Sequence, residues 1–258
     1  MFTFWTSLPV SLLSDCLYFK QLLEQEESLP FFVTVLEKLA FISPIYILIL
    51  VQVHEPLIKM LVEKWMTVSH FDEAAQCSMT LMLTQLFEHE ILPAVPSYIL
   101  FFVNKYLLNC LSSAQSLELQ VRALALLKKI LQCGSGPAED SEEFELLSLA
   151  LKKQLLSRRE TLSIAVAQCL NIIASNPCYA ACLHHVLKSD LPEFLFESLH
   201  TMNIAQLDAV VSCLQSFAQS DAFFSRCHAV YGMESLLQMV STLWKLRIIT
   251  YYIKPSHF

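Results

Sequence analysis

The sequence predicts an all-α protein built from stacked helical repeats, and three observations carry that reading. The composition is leucine-rich with only three glycines in 258 residues, too few for the tight hairpins of a sheet. Hydrophobic residues make up 55% and charged residues 16%, against a usual charged share of ~25%, so most of the chain has to be buried. Finally, four apolar runs return at a fixed interval. Shifted by 44 residues without gaps, Cys77, Val121, Ala165 and Ala209 fall in one column, and Leu81, Ala125, Cys169 and Cys213 in the next. Met82, Leu126, Leu170 and Leu214 form a third column, and Leu86, Ile130, Ala174 and Ala218 a fourth. Within a helix these positions are i, i+4, i+5 and i+9, which share one face at 3.6 residues per turn.

Each apolar run follows a helix that keeps the same shift. Leu107, Leu151, Leu195 and Met239 align, as do Leu111, Leu155, Leu199 and Leu243. Two helices every 44 residues is the period of HEAT and armadillo repeats, in which one pair cannot bury its apolar face and stacked neighbours supply a continuous core. The expected fold is an armadillo/HEAT-like right-handed α-solenoid with a two- to three-helix repeat. In chain order, residues 1–53 are helical by composition but out of register. Repeats follow at 54–90, at 91–134 (closed by Gly134 and Gly136), at 142–188, and at 189–232, entered at Pro192. Pro177 opens a short third helix in the 142–188 repeat. Residues 233–258 hold a partial repeat from Ser235 and an irregular tail, "LWKLRIITYYIKPSHF". A solenoid ends on a polar capping repeat, so this apolar ending leads to the expectation of a fragment or alternative product of a longer array.

Several classes of protein are disfavoured. Neither GxGxxG nor GxxxxGK[ST] occurs, so no phosphate-cradling loop is expected. A net charge of −7 does not suit a general nucleic-acid binder. Nine cysteines, an odd number and mostly within apolar runs, read as small buried hydrophobes in a reducing compartment. The mean hydropathy of +0.49 raises the membrane question. The greasiest run, Leu39 to Val53, is broken by Pro44 and is shorter than the ~20 residues a spanning helix needs. Ile91 to Leu111 is interrupted by Pro93, Pro96, Asn104 and Lys105. The N-terminus lacks the basic start of a signal peptide. No membrane association is expected.

Candidate chemistry is sparse. Cys178, Cys182 and His185 lie at i, i+4 and i+7, with His184 beside them, but a structural zinc site takes four ligands and no second half is visible. Cys227 and His228 are adjacent, about 100° apart on a helix, and so do not form a nucleophile–base couple. The expectation is a non-enzyme without metal or cofactor. Lys128, Lys129, Lys152, Lys153, Arg158 and Arg159 gather near one repeat junction. They read as a basic patch or, with Glu139, Asp140, Glu142, Glu143 and Glu145 between them, as a solvated and partly self-paired surface, which is preferred. The columns opposite the core give a candidate protein-binding stripe: Gln168, Asn171 and Ser175, then Ser212, Gln215 and Gln219. Uncharged amides and hydroxyls can bond a peptide backbone with little desolvation. The same columns in the earlier helices are apolar (Thr80, Leu83, Phe87; Leu124, Leu127, Leu131), as expected of helices buried all round beneath residues 1–53.

The strings "LKKQLLSRRETLSIAVAQC" (151–169), "DLPEFLFESL" (190–199) and "FFSRCHAVYGMESL" (223–236) resemble the vertebrate meiosis inhibitor protein family, with a weaker extension through "SLELQVRALALLKKIL" (116–131). The resemblance implies a portion of a large helical-repeat protein of germ cells, serving programmed meiotic double-strand breaks and homologous synapsis. It further implies a nuclear location and partners among the proteins of the break machinery. It offers no catalytic residue, cofactor or small-molecule substrate. From the repeats alone, the alternative is a cytoplasmic adaptor or cargo-binding solenoid.

Overall fold

A computed structural model describes residues 24–42, 55–67, 72–88, 97–134, 141–157, 159–199 and 204–226, with Gln238, Ser241 and Lys245. Every regular element among them is helical. A 3-10 turn at Glu26–Ser28 leads into α1 (Leu29–Ile42), then come α2 (Glu55–Thr67), α3 (Glu73–Glu88), α4 (Ser97–Ser113) and α5 (Leu117–Gln132). They are followed by α6 (Ser141–Leu156), α7 (Glu160–Ser175), a 3-10 turn at Pro177–Tyr179, α8 (Ala180–Lys188), α9 (Leu191–Ser198) and α10 (Ile204–Phe217). The chain divides into two compact units, Met1–Lys129 and Ile130–Phe258. No helix among the described residues is long and apolar enough to cross a membrane. Of the features read from the sequence, Cys16, Pro44, Pro93, Pro96, Gly136, Glu139, Asp140, Arg158, Cys227, His228, Ser235, Met239, Leu243 and the tail from 246 lie outside the described residues.

In the first unit α1 packs along α3 and α2 along α4. The α1 residues Leu29, Phe32, Val33, Leu36 and Ala40 are buried, a single stripe at helical spacing. Two helix starts here are fixed by side-chain oxygens. Asp72 Oδ1 accepts the Ala75 N–H at 2.8 Å at the start of α3, and Ser116 Oγ accepts the Leu119 N–H at 3.2 Å at the start of α5. Glu73, in the first turn of α3, accepts the N–H groups of Gln115 at 2.6 Å and Ser116 at 2.9 Å, tying one helix start to the other. Between α3 and α4, the Tyr106 hydroxyl and Thr80 Oγ1 both donate to the Gln76 carbonyl at 2.7 Å.

In the second unit α7 packs against α10, α6 and α8. It is the greasiest of these helices because three neighbours cover it: Leu162, Ser163, Val166, Ala167, Cys169, Leu170 and Ile173 are all buried. Helix α8 joins α9, and α9 joins α10. The Tyr179 hydroxyl donates to the Leu131 carbonyl at 2.8 Å, pinning the 3-10 turn before α8 to the end of α5. Gly134, at φ 70°, closes α5 in the left-handed conformation that glycine alone adopts without strain. Arg226 donates through Nε to Glu193 and through Nη1 to the Leu187 carbonyl (2.7 Å), joining the segment after α10 to α9 and to the last turn of α8.

Burial corrects the expected core columns. Ala125 is exposed, and Leu81, Val121, Ala165, Ala174, Ala209 and Ala218 are only half-buried. The buried positions themselves recur from helix to helix. Ala75, Leu119, Leu162 and Gln206 correspond, as do Met79, Ala123, Val166 and Val210, and Thr80, Leu124, Ala167 and Val211. So do Met82, Leu126, Cys169 and Cys213, and Leu83, Leu127, Leu170 and Leu214, and then Ile130, Ile173 and Phe217. The step is 44 residues from α3 to α5 and from α7 to α10, but 43 from α5 to α7. The residue is lost in the turn: Leu111 to Leu119 spans "SSAQSLE", whereas Leu155 to Leu162 spans "LSRRET". The preceding helices keep 44, with Leu107, Leu151 and Leu195 all buried. An ungapped alignment misses the slip because leucine and alanine stand on both sides of the true column.

Candidate functional site

The candidate stripe sits on the solvent face of α7 and α10, the two helices of the second unit that pack most closely together. Gln168 and Ser175 are exposed and Asn171 is half-buried on α7; Ser212 and Gln215 are exposed on α10, and Gln219 is exposed in the turn beyond it. The six positions differ in what their polar atoms already do, and Gln168 too is engaged within the chain. Ser175 Oγ donates to the Asn171 carbonyl at 2.7 Å and Ser212 Oγ to the Asp208 carbonyl at 2.8 Å. Hydroxyls turned back onto their own helix have spent their only proton. Asn171 Oδ1 accepts from Ser216 Oγ at 2.6 Å, so this amide helps join α7 to α10. Ser216 is the stripe residue that the sequence reading missed; its spacing of one turn from Ser212 was the available signal.

The corrected register changes which residues of the earlier helices correspond to the stripe. One step back, the counterparts of Gln168, Asn171 and Ser175 are Ala125, Lys128 and Gln132, not Leu124, Leu127 and Leu131. Another step back gives Leu81 and Thr84. Ala125 and Gln132 are exposed, and Leu81, Thr84 and Lys128 half-buried. The contrast between an apolar and a polar end, expected from the ungapped columns, came from comparing core positions of α3 and α5 with surface positions of α7 and α10. Thr80, Leu83, Phe87, Leu124, Leu127 and Leu131 are core.

Lys128 and Lys129 belong to the first unit, and Lys152, Lys153 and Arg159 to the second. Lys152 Nζ meets Asp190 Oδ2 at 2.5 Å, a partner from the start of α9 and not from the acidic loop. The hydrogen bond from Lys152 holds the Asp190 carboxyl below the ordinary carboxylate range. Lys128, Lys129 and Lys153 are engaged within the chain as well.

The cysteine and histidine residues of α8 are separated by burial. Cys178 is exposed in the 3-10 turn, while Cys182 faces the core and burial pushes its thiol up to about 12. The His185 ring lies 5.8 Å from the Phe144 ring of α6, an aromatic contact with the neighbouring helix. Among the described residues no three His, Cys, Asp or Glu side chains gather where they would hold a metal ion.

The family described as the meiosis inhibitor protein 1 N-terminal domain matches residues 13–250, nearly the whole chain. The chain belongs to the meiosis inhibitor protein 1 family. Human meiosis inhibitor protein 1 is 35% identical over 159 residues, covering 55% of this chain and 12% of the human protein. Mouse meiosis inhibitor protein 1 is 35% identical over 148 residues, covering 51% of this chain and 11% of the mouse protein. The chain thus matches a small part of the length of these curated relatives. No solved structure matches it. All ten helices described above lie inside the matched meiosis inhibitor protein 1 domain, and so does every candidate residue.

Proposed function

We propose that the chain is a non-enzymatic protein–protein interaction scaffold of meiosis, acting in the nucleus of germ cells. Its partners are proteins of the machinery that makes programmed double-strand breaks and supports homologous synapsis. It uses no cofactor and no small-molecule substrate, and direct nucleic-acid binding is not part of its role. The observation that carries the meiotic reading is membership of the meiosis inhibitor protein 1 family across residues 13–250. The scaffold reading is supported by helix pairs whose buried positions recur every 43 or 44 residues, the pattern of an armadillo/HEAT-like right-handed α-solenoid whose long surfaces take up other proteins.

The docking surface is the stripe of Gln168, Gln215 and Gln219 flanked by Ser175, Ser212 and Asn171. Amide side chains there meet a partner's backbone without the desolvation that a charge would cost. The test is capture of proteins from meiotic tissue by the native chain and by a Gln168→Ala, Gln215→Ala, Gln219→Ala variant. Asn171 is left in place because it joins α7 to α10. Loss of capture with unchanged helicity is expected. Unchanged capture removes this surface, and a captured set lacking break-machinery proteins removes the meiotic scaffold.

A further inference from the structure

Helix α6 carries an apolar face that is exposed among the described residues. Its inner side is buried through Phe144, Leu147, Leu151 and Leu155, against α7 and α8. Its outer side exposes Leu146 (48%), Leu149 (57%) and Leu156 (53%), with Glu145 and Lys153 also exposed. At 100° per residue these five lie within one arc whose middle is Leu149. The three leucines and Lys153 follow the alternating three- and four-residue spacing of a helix–helix seam.

We propose that this face pairs with the same face of a second copy, the two α6 helices running antiparallel about Leu149. The charge distribution selects that occupant. Acidic Glu145 stands one turn before Leu149, and Lys152 and Lys153 stand about one turn after it. An antiparallel copy centred on Leu149 brings each Glu145 level with the other copy's lysine pair, twice over, while Leu149 meets Leu149 on the axis and each Leu146 lies beside that pair against the aliphatic stem of the other copy's Lys152. A parallel copy in register brings like charges level. The surface is therefore complementary to itself in one direction only, as an isologous two-fold contact requires. Lys152 already holds Asp190, and Lys153 also interacts within the chain. An exposed ammonium has three donors and can share them. Leu146 and Leu149 of each copy bury far less than the ~1,200 Å² at the lower end of stable interfaces, so the dimer is a weak one that fills with concentration.

Sedimentation equilibrium of the full chain across a concentration series into the high-micromolar range tests this. The average mass should climb towards twice that of the chain. Leu149→Glu should weaken association roughly 100-fold or more, since two facing leucines become two facing carboxylates. Leu149 is exposed, so helicity should be unchanged. Glu145→Lys and Lys153→Glu should each associate less than the native chain, and an equimolar mixture of the two should recover association, because each then supplies what the other lacks. A native chain that stays monomeric throughout overturns the proposal. So does a Leu149→Glu variant that associates like the native chain, or a mixture no better than its components.

Discussion

Single hydrogen bonds in this chain have consequences set by how many protons and lone pairs are present. Tyr106 and Thr80 lie 3.1 Å apart, and each donates to the Gln76 carbonyl. Tyr106→Phe leaves that carbonyl satisfied by Thr80 and should cost about 1 kcal/mol in chemical denaturation. A loss above about 3 kcal/mol would mean that the ring itself had moved. Glu73 illustrates the pH side. Hydrogen bonds from Ser116, and then from the Gln115 N–H, lower its pKa. A carboxylate with a lowered pKa contributes stability that is fully present above the ordinary carboxylate range and is lost as pH falls through the folded value. Native chain and Glu73→Gln should differ in melting temperature at neutral pH, and the two curves should converge on acidification. A gap that persists at low pH would show that the contribution is not electrostatic.

At the scale of the element, the one-residue slip between α5 and α7 makes a sharp comparison possible. Leu124 is buried and Ala125 exposed, whereas the ungapped columns put Ala125 in the core and leave Leu124 on the opposite face, to be covered by residues 1–53. Leu124→Ala should cost about 2–5 kcal/mol as a cavity forms, whereas Ala125→Lys should stay within about 0.5 kcal/mol of native. The reverse ranking in urea titrations would restore the ungapped register. Arg226 makes a second test. With its side chain about 30% exposed and that of Glu193 12% exposed, Arg226→Ala should destabilise by about 2 kcal/mol. Arg226→Lys should recover only part of this, because a point ammonium cannot reach both Glu193 and the Leu187 carbonyl as a fork does.

Across the whole molecule, the cysteines form a burial map that can be read in one experiment. Cys133 and Cys178 are exposed, while Cys77, Cys110, Cys169, Cys182 and Cys213 are buried. Burial pushes the Cys110 and Cys182 thiols up to about 12 and raises Cys77 and Cys213 as well. Reaction with a thiol reagent needs both access and thiolate. Among these seven, labelling of the native chain, mapped by mass spectrometry, should mark Cys133 and Cys178 first and reach the buried five only with denaturant. Early labelling at Cys169 or Cys213 would mean that the buried faces of α7 and α10 are open.

The sequence by itself determined the helical class, because that follows from composition and from a 3.6-residue apolar period. It also placed Gln168, Ser175, Ser212, Gln215 and Gln219 on a surface, since polar residues among leucines have one stable side to face. Family membership was legible too, in strings such as "PEFLFE". Only the tertiary structure decided the true register of α5 against α7: leucine and alanine occupy neighbouring columns, so a slip of one costs the pattern nothing while turning each helix by about 100°. Tertiary structure also decided that Asn171 is bonded to Ser216 forty-five residues on and Lys152 to Asp190. Short local patterns carry no information about which distant partner a side chain meets; packing assigns it.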